Sequence, residues 1–202
     1  MKTLLRPFVQ LLSTAVFFHL LHVSSASASP TSYIRSSCDT STLYPDLCYF
    51  SLVRYANAVQ QDPARLARAA IGVSLFKAKR VASYISNLTS LGDYGPDPRA
   101  AAALHDCFSV FGDAVDQIRG SLKQMRRLRG ARRGEELMFE MSNVQTWMSA
   151  ALTNEDTCTD GLADVADGPM KIDVCDRAVR VKEVTSNALA LVNSFVAKVM
   201  VP

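Results

Sequence analysis

Histidine is nearly absent from this chain. Two of its three copies, His19 and His22, fall within the first 28 residues, which leaves His105 alone in the remainder. No Cys-x-x-Cys pair occurs, so a structural zinc site has neither its usual cysteine spacing nor enough imidazole to replace it. No Gly-rich phosphate loop is present. Strong net charge is lacking as well: 22 Lys and Arg face 19 Asp and Glu. That balance argues against nucleic acid as a partner. Beyond the N-terminal stretch no apolar run is long enough to cross a bilayer. Catalytic residues, a metal site and a cofactor are therefore not expected.

What is present begins with MKTLLRPFVQLLSTAVFFHLLHVSSASA. Lys2 and Arg6 form a basic start, an apolar core runs through Leu21, and Ala26-Ser27-Ala28 supplies small residues for cleavage. This order of features predicts a secretory signal peptide over residues 1–28 and an exported product with no membrane anchor. Removing Lys2 and Arg6 leaves a net charge of about +1 on about 174 residues, a length suited to one domain with one core. Asn87-Leu88-Thr89 is an N-glycosylation sequon, so Asn87 is expected to carry a glycan if it stays on the surface.

The periodicity is helical. The segment around Cys38 and Cys48 holds a Thr/Ser cluster and Pro45, which predicts a helical hairpin within residues 29–61. Four long amphipathic helices should follow over 62–202. The first starts at Asp62-Pro63 and carries Leu66, Ala70, Val73, Phe76, Val81, Ile85 and Leu88. It stops near Gly92, before a turn containing Gly95 and Pro96. The second has the cleanest stripe, Leu104, Cys107, Phe111, Ala114, Ile118, Leu122 and Met125, and ends in basic residues before Gly130. The third runs from Gly134-Glu135-Glu136 to about Cys158, and the last carries Val174, Ala178, Val181, Val184, Ala188, Val192 and Phe195. The prediction is an all-α protein: an antiparallel up-down-up-down four-helix bundle with an N-terminal disulfide-linked helical hairpin. In an oxidising compartment five cysteines favour two disulfides and one thiol, and arithmetic alone leaves about fifteen arrangements open. The bundle topology narrows them. Cys107 and Cys158 fall at the same end of antiparallel neighbours, which pairs them, leaves Cys38 and Cys48 as the local pair, and leaves Cys175 as a free thiol.

Three motifs resemble the plant invertase and pectin methylesterase inhibitor family across nearly all of the exported sequence. They are Ile34-Arg35-Ser36-Ser37-Cys38 leading to Tyr44-Pro45-Asp46-Leu47-Cys48; Leu104-His105-Asp106-Cys107 followed by Asp113-Ala114-Val115-Asp116; and Ser142 through Thr153 with Asp156-Thr157-Cys158. The resemblance implies a four-helix bundle, disulfides joining first to second and third to fourth cysteine, and a non-enzymatic role capping the active site of a cell-wall carbohydrate enzyme. It implies pectin methylesterase as a 1:1 partner, with acid invertase the alternative target; apart from the resemblance, a secreted helical binding module without enzyme inhibition is the rival class. The third motif is close to the pectin methylesterase branch, and the Pro-Lys-Phe element of the invertase branch is missing. Ser109 and Phe111 depart from the family pattern, where an acidic residue and a tyrosine are commoner.

Two surfaces remain to be assigned. Ser142, Thr146, Ser149 and Thr153 make an uncharged hydroxyl row where a solvated helix usually carries Lys and Glu. Small side chains with donating and accepting hydroxyls suit close docking into a polar cleft, so these four, with Asn143 and Gln145 at the edges, are the expected target-binding residues. Lys123, Arg126, Arg127, Arg129, Arg132 and Arg133 crowd six positive charges into eleven residues with no acid. They are candidates for contact with anionic pectin, against the plainer reading of a helix end favoured by its dipole. His105, and Asp113 with Asp116, read as surface residues, Cys175 as a small core residue, and Trp147 as a bridge from the third helix to a neighbour.

Overall fold

The computed structural model describes residues 29–92, 97–128 and 134–200. The expected signal peptide, the turn at Gly95 and Pro96, and Arg129, Arg132 and Arg133 lie outside the described residues. The elements are α1 (Pro30–Ser41), α2 (Pro45–Leu52), a 3₁₀ turn (Val53–Tyr55), α3 (Ala56–Val59), and the long helices α4 (Pro63–Leu91), α5 (Pro98–Arg127), α6 (Glu135–Gly161) and α7 (Pro169–Met200).

The starts of these helices are written in the sequence. Proline is the first residue of α1, α2, α4, α5 and α7, where its fixed φ suits a helix and its missing N–H costs nothing. Asp62 caps α4 by accepting from the Ala64 and Arg65 amides at 2.8 and 3.0 Å, and Asp97 caps α5 through the Arg99 amide at 2.9 Å. Gly92 ends α4 with φ 65°, a left-handed conformation that glycine adopts without strain.

The four long helices form an antiparallel bundle in which α4 packs on α5 and α7, and α6 packs on α5 and α7. Thus α4 and α6 stand at opposite corners. Every residue of the α5 stripe from Leu104 to Met125 is buried. The α4 stripe needs one correction: Phe76 is 61% exposed. Val73 already lies at the edge of the buried face, and a further three-residue step carries the next side chain past it onto the outside.

The hairpin α1–α2 packs against the bundle through α7 and α4. Its turn is held by one side chain. Asn187 of α7 accepts from the Tyr44 amide at 3.1 Å and donates to the Tyr44 carbonyl at 2.9 Å, satisfying both backbone groups of a loop residue at once. Cys38 is bonded to Cys48 within the hairpin, and Cys107 of α5 to Cys158 of α6, where the two Cα atoms are 4.4 Å apart. Cys175 is unpaired and half-buried against the core, and burial pushes its thiol pKa up.

Candidate functional site

On α6 the buried positions are Met141, Val144, Met148, Ala151, Glu155 and Cys158. The outward positions include Ser142, Thr146, Ser149 and Thr153, all exposed. The Thr153 hydroxyl donates to the Ser149 carbonyl at 3.3 Å, and that of Thr157 to the Thr153 carbonyl at 2.8 Å. The side chains of Ser142, Thr146 and Ser149 make no hydrogen bond to another described residue, which leaves three hydroxyls open to solvent in a row along the corner of the bundle. Asn143 and Gln145 are half-buried at the edges; Gln145 donates to Asn193 of α7 at 2.8 Å and so braces the helix.

The row is fixed from both sides. Toward α5, Asn154 donates to Gln117 at 3.0 Å, and the Trp147 ring lies against Gly120, where a Cβ would stand 3.1 Å from it. Trp147 therefore bridges two helices although it is 37% exposed. Toward α7, Lys182 pairs with Asp156 at 2.5 Å, and the partnership raises the lysine pKa. Phe111 is fully buried and Ser109 exposed, so of these two only Ser109 is on the surface. His105, Asp113 and Asp116 are exposed, with Asp116 paired to Arg119. Lys123, Arg126 and Arg127 are exposed near the C-terminal end of α5, and Asn87 is exposed on α4.

One ionisable residue stands in the interior where sequence reasoning places none. Glu155 is 0% exposed at the centre of the bundle. Its Oε1 accepts from the Thr185 hydroxyl of α7 at 2.9 Å, and the Ser74 hydroxyl of α4 lies 2.7 Å from that of Thr185. Thr185 gives its proton to the carboxyl, so it takes one from Ser74, and the chain of bonds links three helices. Glu155 Oε2 has no partner among the described residues. Burial raises the Glu155 pKa to about 8, against the smaller pull of Thr185 and Lys182. The sequence does carry a signal for it: Val144, Met148, Ala151, Glu155 and Cys158 continue one stripe in steps of four and three.

No group of three or more His, Cys, Asp or Glu suited to a metal occurs among the described residues. No described helix is long and apolar enough to cross a membrane. The arrangement on α6 is a surface braced by α5 on one side and α7 on the other.

Comparison with known proteins agrees with this architecture. A family described as plant invertase/pectin methylesterase inhibitor matches residues 32–191. The chain is 43% identical over 189 residues to a "21 kDa protein" of Daucus carota, covering 92% of this chain and 96% of that one. It is 41% identical over 183 residues to pectinesterase inhibitor 9 of Arabidopsis thaliana, covering 87% and 89%. The crystal structure of a mutant pectin methylesterase inhibitor from Arabidopsis superposes with a TM-score of 0.59 at 20% identity, covering 82% of this chain and 97% of that one, a likeness of fold. The family match over residues 32–191 and the identity to named relatives place this chain in the plant invertase/pectin methylesterase inhibitor family.

Proposed function

We propose that this protein is a secreted, non-catalytic inhibitor that caps the active-site cleft of a pectin methylesterase and so controls de-methylesterification of pectin. Residues 1–28 direct export, and residues 29–202 act as one inhibitor domain, with the hairpin of 29–61 docked on the bundle. The observation that carries the reading is the exposed, uncharged hydroxyl row of α6 on a relative of named pectinesterase inhibitors. A rigid row of small hydroxyls loses little freedom on docking and meets a polar cleft with donors and acceptors alike.

Ser142, Thr146, Ser149 and Thr153 make the contact in a 1:1 complex, and Asn143 and Gln145 border it. Lys123, Arg126 and Arg127, together with Arg129, Arg132 and Arg133, add a long-range attraction to anionic pectin. The deciding experiment titrates the purified protein against a pectin methylesterase and an acid invertase from mildly acidic to neutral pH. The esterase is slowed at equimolar protein and the invertase is not. The double variant Thr146→Trp/Ser149→Trp, which places two indoles where the cleft wall must approach, loses inhibition while its circular dichroism stays that of the parent. Full inhibition by this variant would remove the α6 row from the interface; inhibition of invertase alone would reassign the target.

A further inference from the structure

On the outside of the α4–α7 seam runs a groove of about 660 Å³, lined by Phe76, Lys77, Lys79, Arg80, Tyr84, Asn87, Arg177 and Arg180 among others. We propose that this groove is a binding site for a linear oligosaccharide of uronic acids, the chemical class that a pectin methylesterase leaves behind. The proposal rests on the inhibitor reading for the choice of ligand, and on the groove itself for the site.

Charge is the first support. Helix α4 has 29 residues and no acid, yet it carries Arg65, Arg68, Lys77, Lys79 and Arg80. None of the salt bridges among the described residues uses Lys77, Lys79, Arg80 or Arg180. Arg177 is neutralised by Asp173, 2.9 Å away, so the uncompensated charge lies on those four cations. Asp176 and Glu183 also stand on α7, but neither lines the groove.

The second support is shape and surface. Phe76 is exposed, and the Arg80 guanidinium sits 5.8 Å from its ring centroid; Arg177 stacks 4.2 Å over Tyr84. The exposed Phe76 ring receives the C–H face of a sugar, and the guanidinium forks of Arg80 and Arg180 receive its carboxylate in two-pronged fashion. Ser83 adds a hydroxyl for the sugar's ring hydroxyls. From residue 76 to residue 87 the helix advances about 16 Å, the length of a short oligosaccharide rather than one sugar. An acidic protein segment is the competing occupant, and polyglutamate stands in for it in the test below.

The groove also leaves the inhibitory surface free. Since α4 and α6 occupy opposite corners, a ligand along α4 and an enzyme on the α6 row do not meet. The inhibitor would be held on de-esterified stretches of polymer while α6 engages the enzyme producing them.

The test measures binding of a de-esterified oligogalacturonate by calorimetry to the secreted protein, to Asn87→Gln, and to two variants. The first variant, Lys79→Gln/Arg80→Gln/Arg180→Gln, removes groove cations; the second, Lys123→Gln/Arg126→Gln/Arg127→Gln, removes cations from α5. The proposal expects the groove variant to bind at least about tenfold more weakly, the α5 variant to change by less than that, and added salt to weaken binding. Binding by Asn87→Gln should equal or exceed that of the parent, because the sequon borders the groove. Four results would overturn it: equal binding of the fully methyl-esterified oligomer, equal or tighter binding of polyglutamate, a larger loss in the α5 variant, or weaker binding by Asn87→Gln. Complex formation with pectin methylesterase, measured without pectin, is unchanged in the groove variant. If the wild type forms no such complex, the inhibitor reading fails separately.

Discussion

Glu155 shows how much one residue can contribute out of sight. Asn154-Glu155-Asp156 looks like a hydrophilic helix turn, yet the middle residue faces the core while Asp156 reaches Lys182 at the surface. A carboxyl buried from bulk solvent, with one donor on Oε1 and none on Oε2 among the described residues, favours its neutral form. Its folded pKa of about 8 exceeds the ordinary 4.5, so between these values the folded protein holds a proton that the unfolded chain has released. Stability from this group is therefore fully present below pH 4.5 and is lost as pH rises toward and through 8. Asp156 and Lys182 are the nearby charges, acting in opposite directions. The melting temperature should fall by on the order of 5–10 °C from pH 5 to pH 8 through this group. Glu155→Gln keeps an acceptor for Thr185 and cannot ionise, so it should melt close to the parent at pH 5 and above it at pH 8. Thermal denaturation across that range checks the point; parallel pH profiles for both proteins would mean that Glu155 is already solvated.

At the scale of a helix, α5 and α6 mark what the sequence makes legible and what it hides. The α5 stripe was readable because each member is apolar and the spacing is regular, so periodicity alone found the buried face. Phe76 misleads the reading of α4 because type outweighs angle: a phenylalanine reads as core even where the helix has turned it outward. The hydroxyl row of α6 was legible as the complement of its apolar stripe. What braces it was not, because Gln145 with Asn193 and Asn154 with Gln117 are pairings between distant residues that carry no local signature. The basic groove stayed hidden for the same reason, since its cations come from helices about 100 residues apart. Gly120 belongs to this group. A glycine inside a helix costs roughly 0.5–1 kcal/mol against alanine, and here the absent side chain makes room for the Trp147 ring. Gly120→Ala needs the ring to yield only slightly, which a partly exposed indole does, and should leave stability within about 0.5 kcal/mol. Gly120→Leu should push the indole into water and cost about 1–3 kcal/mol. Trp147 is the sole tryptophan, so the emission maximum reports its environment directly: red-shifted for leucine, unchanged for alanine.

For the whole molecule, the question is what keeps a bundle of four long helices with a separate hairpin in one rigid arrangement. Hydrophobic packing supplies a continuous core from Ile34 of α1 to Val196 of α7, but packing alone tolerates sliding between helices. Three devices fix position instead: the Glu155–Thr185–Ser74 chain across the centre, Asn187 on the hairpin turn, and the two disulfides. The bridges differ in reach. Cys38 and Cys48 are 10 residues apart, and Cys107 and Cys158 are 51. Loop-closure entropy assigns about 3 kcal/mol to the shorter loop and about 4 kcal/mol to the longer. Replacing Cys107 and Cys158 by serine should thus lower the denaturant midpoint more than replacing Cys38 and Cys48. Function should separate them further. The longer loop ties α5 to the end of α6, so its removal frees the last turns of the helix that carries the hydroxyl row. The shorter bridge holds the hairpin on the other side of α7. Measured well below either melting temperature, the Cys107→Ser/Cys158→Ser protein should bind pectin methylesterase more weakly than the Cys38→Ser/Cys48→Ser protein. Calorimetry should find that loss in the entropy of association, since a loosened surface has freedom left to surrender on docking. Equal affinity for the two variants would show that core packing and the buried polar chain hold α6 in place without the staple.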